Sequence, residues 1–125
     1  MSQTDPFGKD PHTPGAKLDA GKTRTGLMVS GFHNALSSVA EVTTFGAAKY
    51  TPNGWLTVPN AIDRYTDAAY RHLLANNNHR NDPESNIPHL AHAIWNLLAV
   101  LELELRKELS YEQSQKLISR DFSKS

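Results

Sequence analysis

The stretch IPHLAHAIWNLLAVLELELRKEL, residues 87–109, decides the reading of this 125-residue chain. Its apolar residues recur at helical spacing, and from Leu90 to Leu105 they cover nearly the whole circumference of a helix. A helix that is apolar all round is either central in a bundle or shared with another subunit. A chain this short can hardly encircle such a helix alone, so the pattern predicts a homo-oligomer, a dimer or higher. Pro88 suits the first turn of the predicted helix.

Upstream, Phe32, Leu36, Val39, Ala40 and Phe45 follow a helical stripe that predicts a helix over 32–50, and Pro52-Asn53-Gly54 breaks it. A second helix is predicted over 60–75, with Ile62, Tyr65, Ala69 and Leu73 on one face and Asn76-Asn77-Asn78 as a polar stop. The loop that follows holds Asp82-Pro83-Glu84-Ser85, with Ser85 or Asn86 able to cap the next helix. Beyond residue 109, Ser110 and Gln113 have capping-box spacing and predict a short separate helix. Residues 1–26 carry four of the seven glycines and little apolar content, which predicts an irregular arm. Residues 27–120 form a single helical domain in this reading, and 121–125 a frayed tail. The predicted fold class is all-α: a small bundle of three long helices plus a short C-terminal helix and an irregular N-terminal arm.

Thirteen basic residues balance thirteen acidic ones, for a formal charge of zero. That balance argues against general nucleic-acid binding, which needs a basic excess. No cysteine is present, so thiolate metal sites and disulfides are excluded. The opening residues lack an apolar signal core, and the longest apolar run, Leu97 to Leu101, is far too short to span a bilayer. No membrane association is expected, and the cytoplasm is the expected compartment. The sequence holds no P-loop, no paired-glycine dinucleotide fingerprint, no His-Glu-x-x-His zinc motif, no His-Asp dipeptide and no nucleophile elbow.

The chemistry concentrates at the head of the long helix, where His89, His92 and Asn96 share one side. They interrupt an apolar surface, and burying them without partners would cost about 1–3 kcal/mol per group. Either neighbouring helices satisfy them, or a ligand does, helped by the positive end of the helix dipole. In the ligand reading, His89 is a candidate to accept a proton or bind a metal. On the preceding helix Asp67 lies three residues after Arg64 and four before Arg71, so one carboxylate could orient two phosphate-binding forks. The same ladder also reads as a solvated helix face. His72 lies nearer the apolar side and is expected to point inward. Glu41 is the only acid between Asp19 and Asp63 and is the candidate metal ligand on its helix; Asp82 and Glu84 are further oxygen donors. In the arm, Lys17, Lys22 and Arg24 could close over an anion or could simply be solvated.

Several motifs occur together in an order that resembles a known family. They are Thr44-Phe45-Gly46-Ala47-Ala48-Lys49-Tyr50, Asn53-Gly54-Trp55, Arg71-His72-Leu73, Asp82-Pro83-Glu84-Ser85 and Pro88-His89-Leu90-Ala91-His92-Ala93 with Asn96. The arm motif Gly15-Ala16-Lys17-Leu18-Asp19 with Gly21-Lys22-Thr23-Arg24 adds to them. This set is similar to the N-terminal domain of dATP/dGTP diphosphohydrolases, often encoded by bacteriophages, and the likeness spans roughly residues 15–105. The resemblance implies hydrolysis of a purine nucleoside triphosphate to the monophosphate and pyrophosphate, on an architecture similar to the all-α MazG-type enzymes. It also implies a divalent metal cofactor, Mg²⁺ or Mn²⁺. Glu41, Glu84, His89 and His92 are then the expected metal ligands, with Glu41 and His92 as catalytic groups. Lys17, Lys22, Arg24, Lys49, Arg64, Arg71, His72 and Asn96 would bind the substrate, and Tyr50 or Trp55 would stack on the base. The chain departs from the MazG-type pattern at Ser38, three residues before Glu41, and at His89 and His92, which take the Glu-x-x-Asp spacing. Imidazole in place of carboxylate favours a softer ion than Mg²⁺, or none. The alternative is a small oligomeric phage-type protein that sequesters nucleotide immune signals without cleaving them.

Overall fold

The computed structural model describes residues 3–124, and among them it is all-helical with no strand. The elements are α1 (Thr25–Gly31), α2 (His33–Lys49), a 3-10 turn η1 (Gly54–Thr57), α3 (Ala61–Asn76) and α4 (His89–Lys124). The chain divides into two compact units, Met1–His33 and Asn34–Ser125. No described helix is long and apolar enough to cross a membrane.

The first unit is organised around one carboxylate. Asp5 is buried and accepts backbone N–H bonds from Phe7, Lys9 and Lys17. Three such bonds hold a segment with no buried apolar side chain among the described residues. Gly8 and Gly15 sit at positive φ, where a side chain would be strained, and turn the chain back on Asp5. The unit ends in α1, a seven-residue helix that the apolar pattern does not announce. Phe32, expected on the stripe of the first long helix, is instead the exposed cap of α1.

In the second unit α3 and α4 make the most extensive packing. Ala69, Ala93 and Ala99 are almost fully buried, and such small side chains let helix backbones approach closely. The predicted inner face of α3 holds at Ile62, Tyr65 and Ala69 but not at Leu73, which is 40% exposed, and Arg64, Asp67 and Arg71 are exposed as well. A separate cluster joins Val39 and Val42 of α2 to Ile87 and Ala91, with Phe45 and Trp95 packed against it. Replacing Ala69 by leucine should cost about 1–3 kcal/mol through overpacking, read as a lowered urea midpoint with unchanged helicity.

Asparagines carry the sharp turns of this unit. Asn53, Asn60 and Asn86 all adopt positive φ, ahead of η1, of α3 and of the segment leading into α4. The loop into α4 is closed by an isolated antiparallel bridge between Asn81 and Pro88, in which Asp82 N–H donates to Ile87 O and His89 N–H to Arg80 O. This closure returns Asp82 and Ser85 to the head of α4.

The expected break at Ser110 does not occur, because α4 continues through it as a 36-residue helix about 54 Å long. No proline or glycine lies near Ser110, and the surrounding lysine, glutamate and leucine residues favour helix, so capping-box spacing alone does not start a new element. Among the described residues no large side chain is fully buried, and Leu97 and Leu101 are 50% and 52% exposed.

Candidate functional site

Three imidazoles from two helices meet at the N-terminal end of α4. His72 comes from the last turns of α3, and His89 and His92 from successive turns of α4. The His72 ring lies flat on His92, with centroids 4.6 Å apart and planes 11° apart. Its Nδ1 is 2.9 Å from Nδ1 of His89. Phe45 of α2 meets His92 edge-on at 6.3 Å, so α2 covers part of the cluster. His89, His92 and Asn96 are buried, and Asn96 donates from its side-chain amide to the His92 carbonyl at 2.8 Å.

The loop supplies the polar partners. Asp82 Oδ2 accepts from Glu84 N–H, Ser85 N–H and the Ser85 hydroxyl. Ser85 Oγ lies 2.7 Å from His92 Nε2 and also accepts from Ile87 N–H. Because the single hydroxyl proton goes to the Asp82 carboxylate, Ser85 must accept from His92. This assigns the His92 proton to Nε2 and leaves Nδ1 as a lone pair. The chain His92–Ser85–Asp82 thus orients one imidazole.

Burial is the largest cause holding the His72 pKa below its ordinary value, and the nearby His92 and His89 add to it. Burial also lowers the His92 pKa, with Asp82 opposing. For Asp82 burial raises the pKa, but hydrogen bonds from Ser85 and the positive potential of His92 and His72 outweigh it and bring the net value down. Both histidines therefore favour the neutral form in the fold. Their folded values lie below the ordinary 6.5, so the unfolded chain binds more protons as the pH falls. The stability they contribute is present above pH 6.5 and is lost as the pH drops through the lowered values. Thermal unfolding in a chelator should show Tm level from about pH 8 to 7 and falling below about 6.5. A Tm unchanged down to about pH 5 would contradict this assignment.

His72, Asp82 and His89 each offer one donor atom, and the three atoms lie within 4.8 Å of one another. This group is of the kind that can hold a metal ion, with two imidazole nitrogens and one carboxylate. It differs from the expected ligands Glu41, Glu84, His89 and His92. Glu41 is exposed on α2 and outside the group. Glu84 pairs with Lys49 at 2.7 Å, which raises the Lys49 pKa chiefly through that hydrogen bond. His92 spends its Nε2 proton on Ser85. Only His89 is common to the two sets. Asp82 is among the oxygen donors the sequence offers, whereas the linking role of Ser85 has no sequence signal beyond its place in a turn.

Of the expected substrate-binding residues, His72 stacks on His92 and Asn96 donates to the His92 carbonyl. Lys17, Lys22 and Arg24 are exposed in the first unit. Lys49 lies 5.3 Å from the ring centre of exposed Tyr50. Trp55 packs edge-on against Trp95 and Tyr65, and Tyr65 donates to its carbonyl, so it joins η1 to α3 and α4. Trp95 in turn donates to Thr43 of α2. Arg64 donates to Pro59 O, and among the described residues Asp67 pairs with neither Arg64 nor Arg71. Arg71 is exposed one residue from His72, and its charge helps depress the His72 pKa.

Fold and site together define an all-α protein with a histidine–carboxylate centre at one end of its helix pair. Residues 12–113 match the family described as dATP/dGTP diphosphohydrolase, N-terminal. The chain belongs to that family. No curated protein and no solved structure matches it.

Proposed function

We propose that the chain hydrolyses dATP and dGTP to the monophosphate and pyrophosphate. The observation that carries this reading is the convergence of His72, His89, His92 and Asp82 on one spot, in a family described by that activity. His92, oriented by Ser85, accepts at Nδ1 the proton of a water as its oxygen attacks the α-phosphorus. The new P–O bond forms as the bond to the bridging oxygen breaks, and pyrophosphate leaves with the electron pair. Arg71, next to His72 and acting on it electrostatically, and Lys49, paired with Glu84 of the loop that holds Asp82, balance phosphate charge. Tyr50 is the ring left to stack on the purine, since Trp55 is engaged by its neighbours. A divalent ion such as Mg²⁺ or Mn²⁺, when bound, neutralises phosphate oxygens.

The working form is an assembly of identical copies packed along α4. Its support is the half-exposed row Leu90, Ile94, Leu97, Leu101 and Leu105, too apolar for a free surface, on a chain of zero net charge that does not repel itself.

Hydrolysis of dGTP in ¹⁸O-labelled water tests the reaction. The label is expected in dGMP; label in pyrophosphate, or release of inorganic phosphate, would rule out attack at the α-phosphorus. One observation favours the sequestering alternative. Asp82 is the single carboxylate in the described cluster, because Glu84 is tied to Lys49. In that reading the imidazoles and Arg71 hold the phosphate, and the nucleotide is recovered intact.

A further inference from the structure

We propose that His72, Asp82 and His89 bind one divalent ion of borderline character, Mn²⁺, Fe²⁺ or Co²⁺, in preference to Mg²⁺. The inference rests on the proposed nucleotide site only for what fills the remaining coordination positions; the ion site itself stands on side-chain geometry.

The contact between His72 and His89 is the first reason. Two nitrogens about 2.1 Å from one ion lie about 3.0 Å apart when adjacent in an octahedron and about 3.4 Å apart in a tetrahedron. Their Nδ1 atoms are 2.9 Å apart, which suits adjacent octahedral positions. Without an ion the pair is satisfied only if one nitrogen donates and the other accepts. An ion takes both lone pairs at once, with the ring protons moved to Nε2.

Asp82 supplies the second reason. Its carboxylate lies within 4.8 Å of both imidazole donors and comes from a third element, the loop closed by the Asn81–Pro88 bridge. Three donors hold Oδ2, and Oδ1 has no hydrogen-bond partner among the described residues. A ligand fixed through one oxygen with the other left open is the arrangement that orients a metal ligand. No lysine or arginine forms an ion pair with Asp82 among the described residues, so its charge has no fixed counter-cation. Two imidazoles and one carboxylate match the two-His-one-carboxylate set of octahedral ions, with open positions that phosphate oxygens and water can take. Mg²⁺ prefers oxygen donors and is a poor match for two imidazoles.

The test uses full-length, metal-stripped protein and Mn²⁺ without nucleotide, following loss of the free-ion electron paramagnetic resonance signal. One Mn²⁺ should bind per chain, and Mg²⁺ should compete only weakly. His72→Ala, His89→Ala and Asp82→Ala should each weaken binding by at least about tenfold. His79→Ala and Glu41→Ala, both exposed and outside the group, should leave it unchanged. Should an alanine variant lose helicity, His72→Gln and Asp82→Asn are measured in its place, with the same weakening expected. No saturable binding, Mg²⁺ binding as tightly as Mn²⁺, or binding lost in Glu41→Ala but kept in His72→Ala and His89→Ala would overturn the site. Intact Mn²⁺ binding with no pyrophosphate release would strike the proposed hydrolysis and leave the ion site standing.

Discussion

Replacing His92 with alanine should lower kcat for dGTP by about 10²–10⁴-fold while moving KM little, the range a lost general base produces. The expectation follows from the His92–Ser85–Asp82 chain, which places the proton on Nε2 and leaves Nδ1 to receive one from water. His92 also stacks on His72 and meets Phe45, so alanine removes packing along with the base. His92→Gln separates the two effects. Its amide can donate to Ser85 and fill most of the ring's space, yet it cannot accept a proton near neutral pH. A folded glutamine variant with full activity would show that His92 is a packing residue. Equal losses in both variants with unchanged Tm would locate the effect in proton transfer.

A double substitution on α4, Leu97→Lys with Leu101→Lys, should convert the native assembly to a monomer. Each leucine is about half exposed in a single chain, and they lie four residues apart on the same side of the helix. Covering the remaining half of a leucine stabilises by about 1 kcal/mol, and the row from Leu90 to Leu105 multiplies that gain. Two ammonium groups per chain in the centre of such a contact would have to be desolvated without partners, so association should weaken by more than about a hundredfold. Light scattering coupled to size exclusion reads the result directly. A wild-type protein that runs as a monomer at about 100 μM would contradict the assembly, since an interface weaker than that has no stable role.

The helices were largely legible because their signal is local. The apolar density of residues 87–109 announces α4, and the face Ile62, Tyr65 and Ala69 announces α3. The C-terminal boundary failed for the same local reason: Ser110 and Gln113 carry capping spacing, but nothing there stops the helix before them. His89, His92 and Asn96 stood out as polar groups inside an apolar run, and the structure buries all three. The helical position of His72 points it inward, and it stacks on His92. Asp82 and Ser85 were harder to place, since their return depends on a left-handed Asn86 and a two-residue bridge, features without periodicity. Asp5 gave no signal, because a lone aspartate in a Gly- and Pro-rich segment looks like any turn residue until three N–H groups are seen to converge on it.

Imidazole ¹⁵N NMR of the full-length protein, titrated with the non-hydrolysable α,β-methylene analogue of dGTP, tests most directly whether the histidine cluster is the nucleotide site. The ring nitrogens of His72, His89 and His92 should shift together with a single Kd, while those of His12, His33 and His79 stay in place. Saturable binding that leaves the three cluster histidines unmoved, or no binding at millimolar analogue, would contradict it.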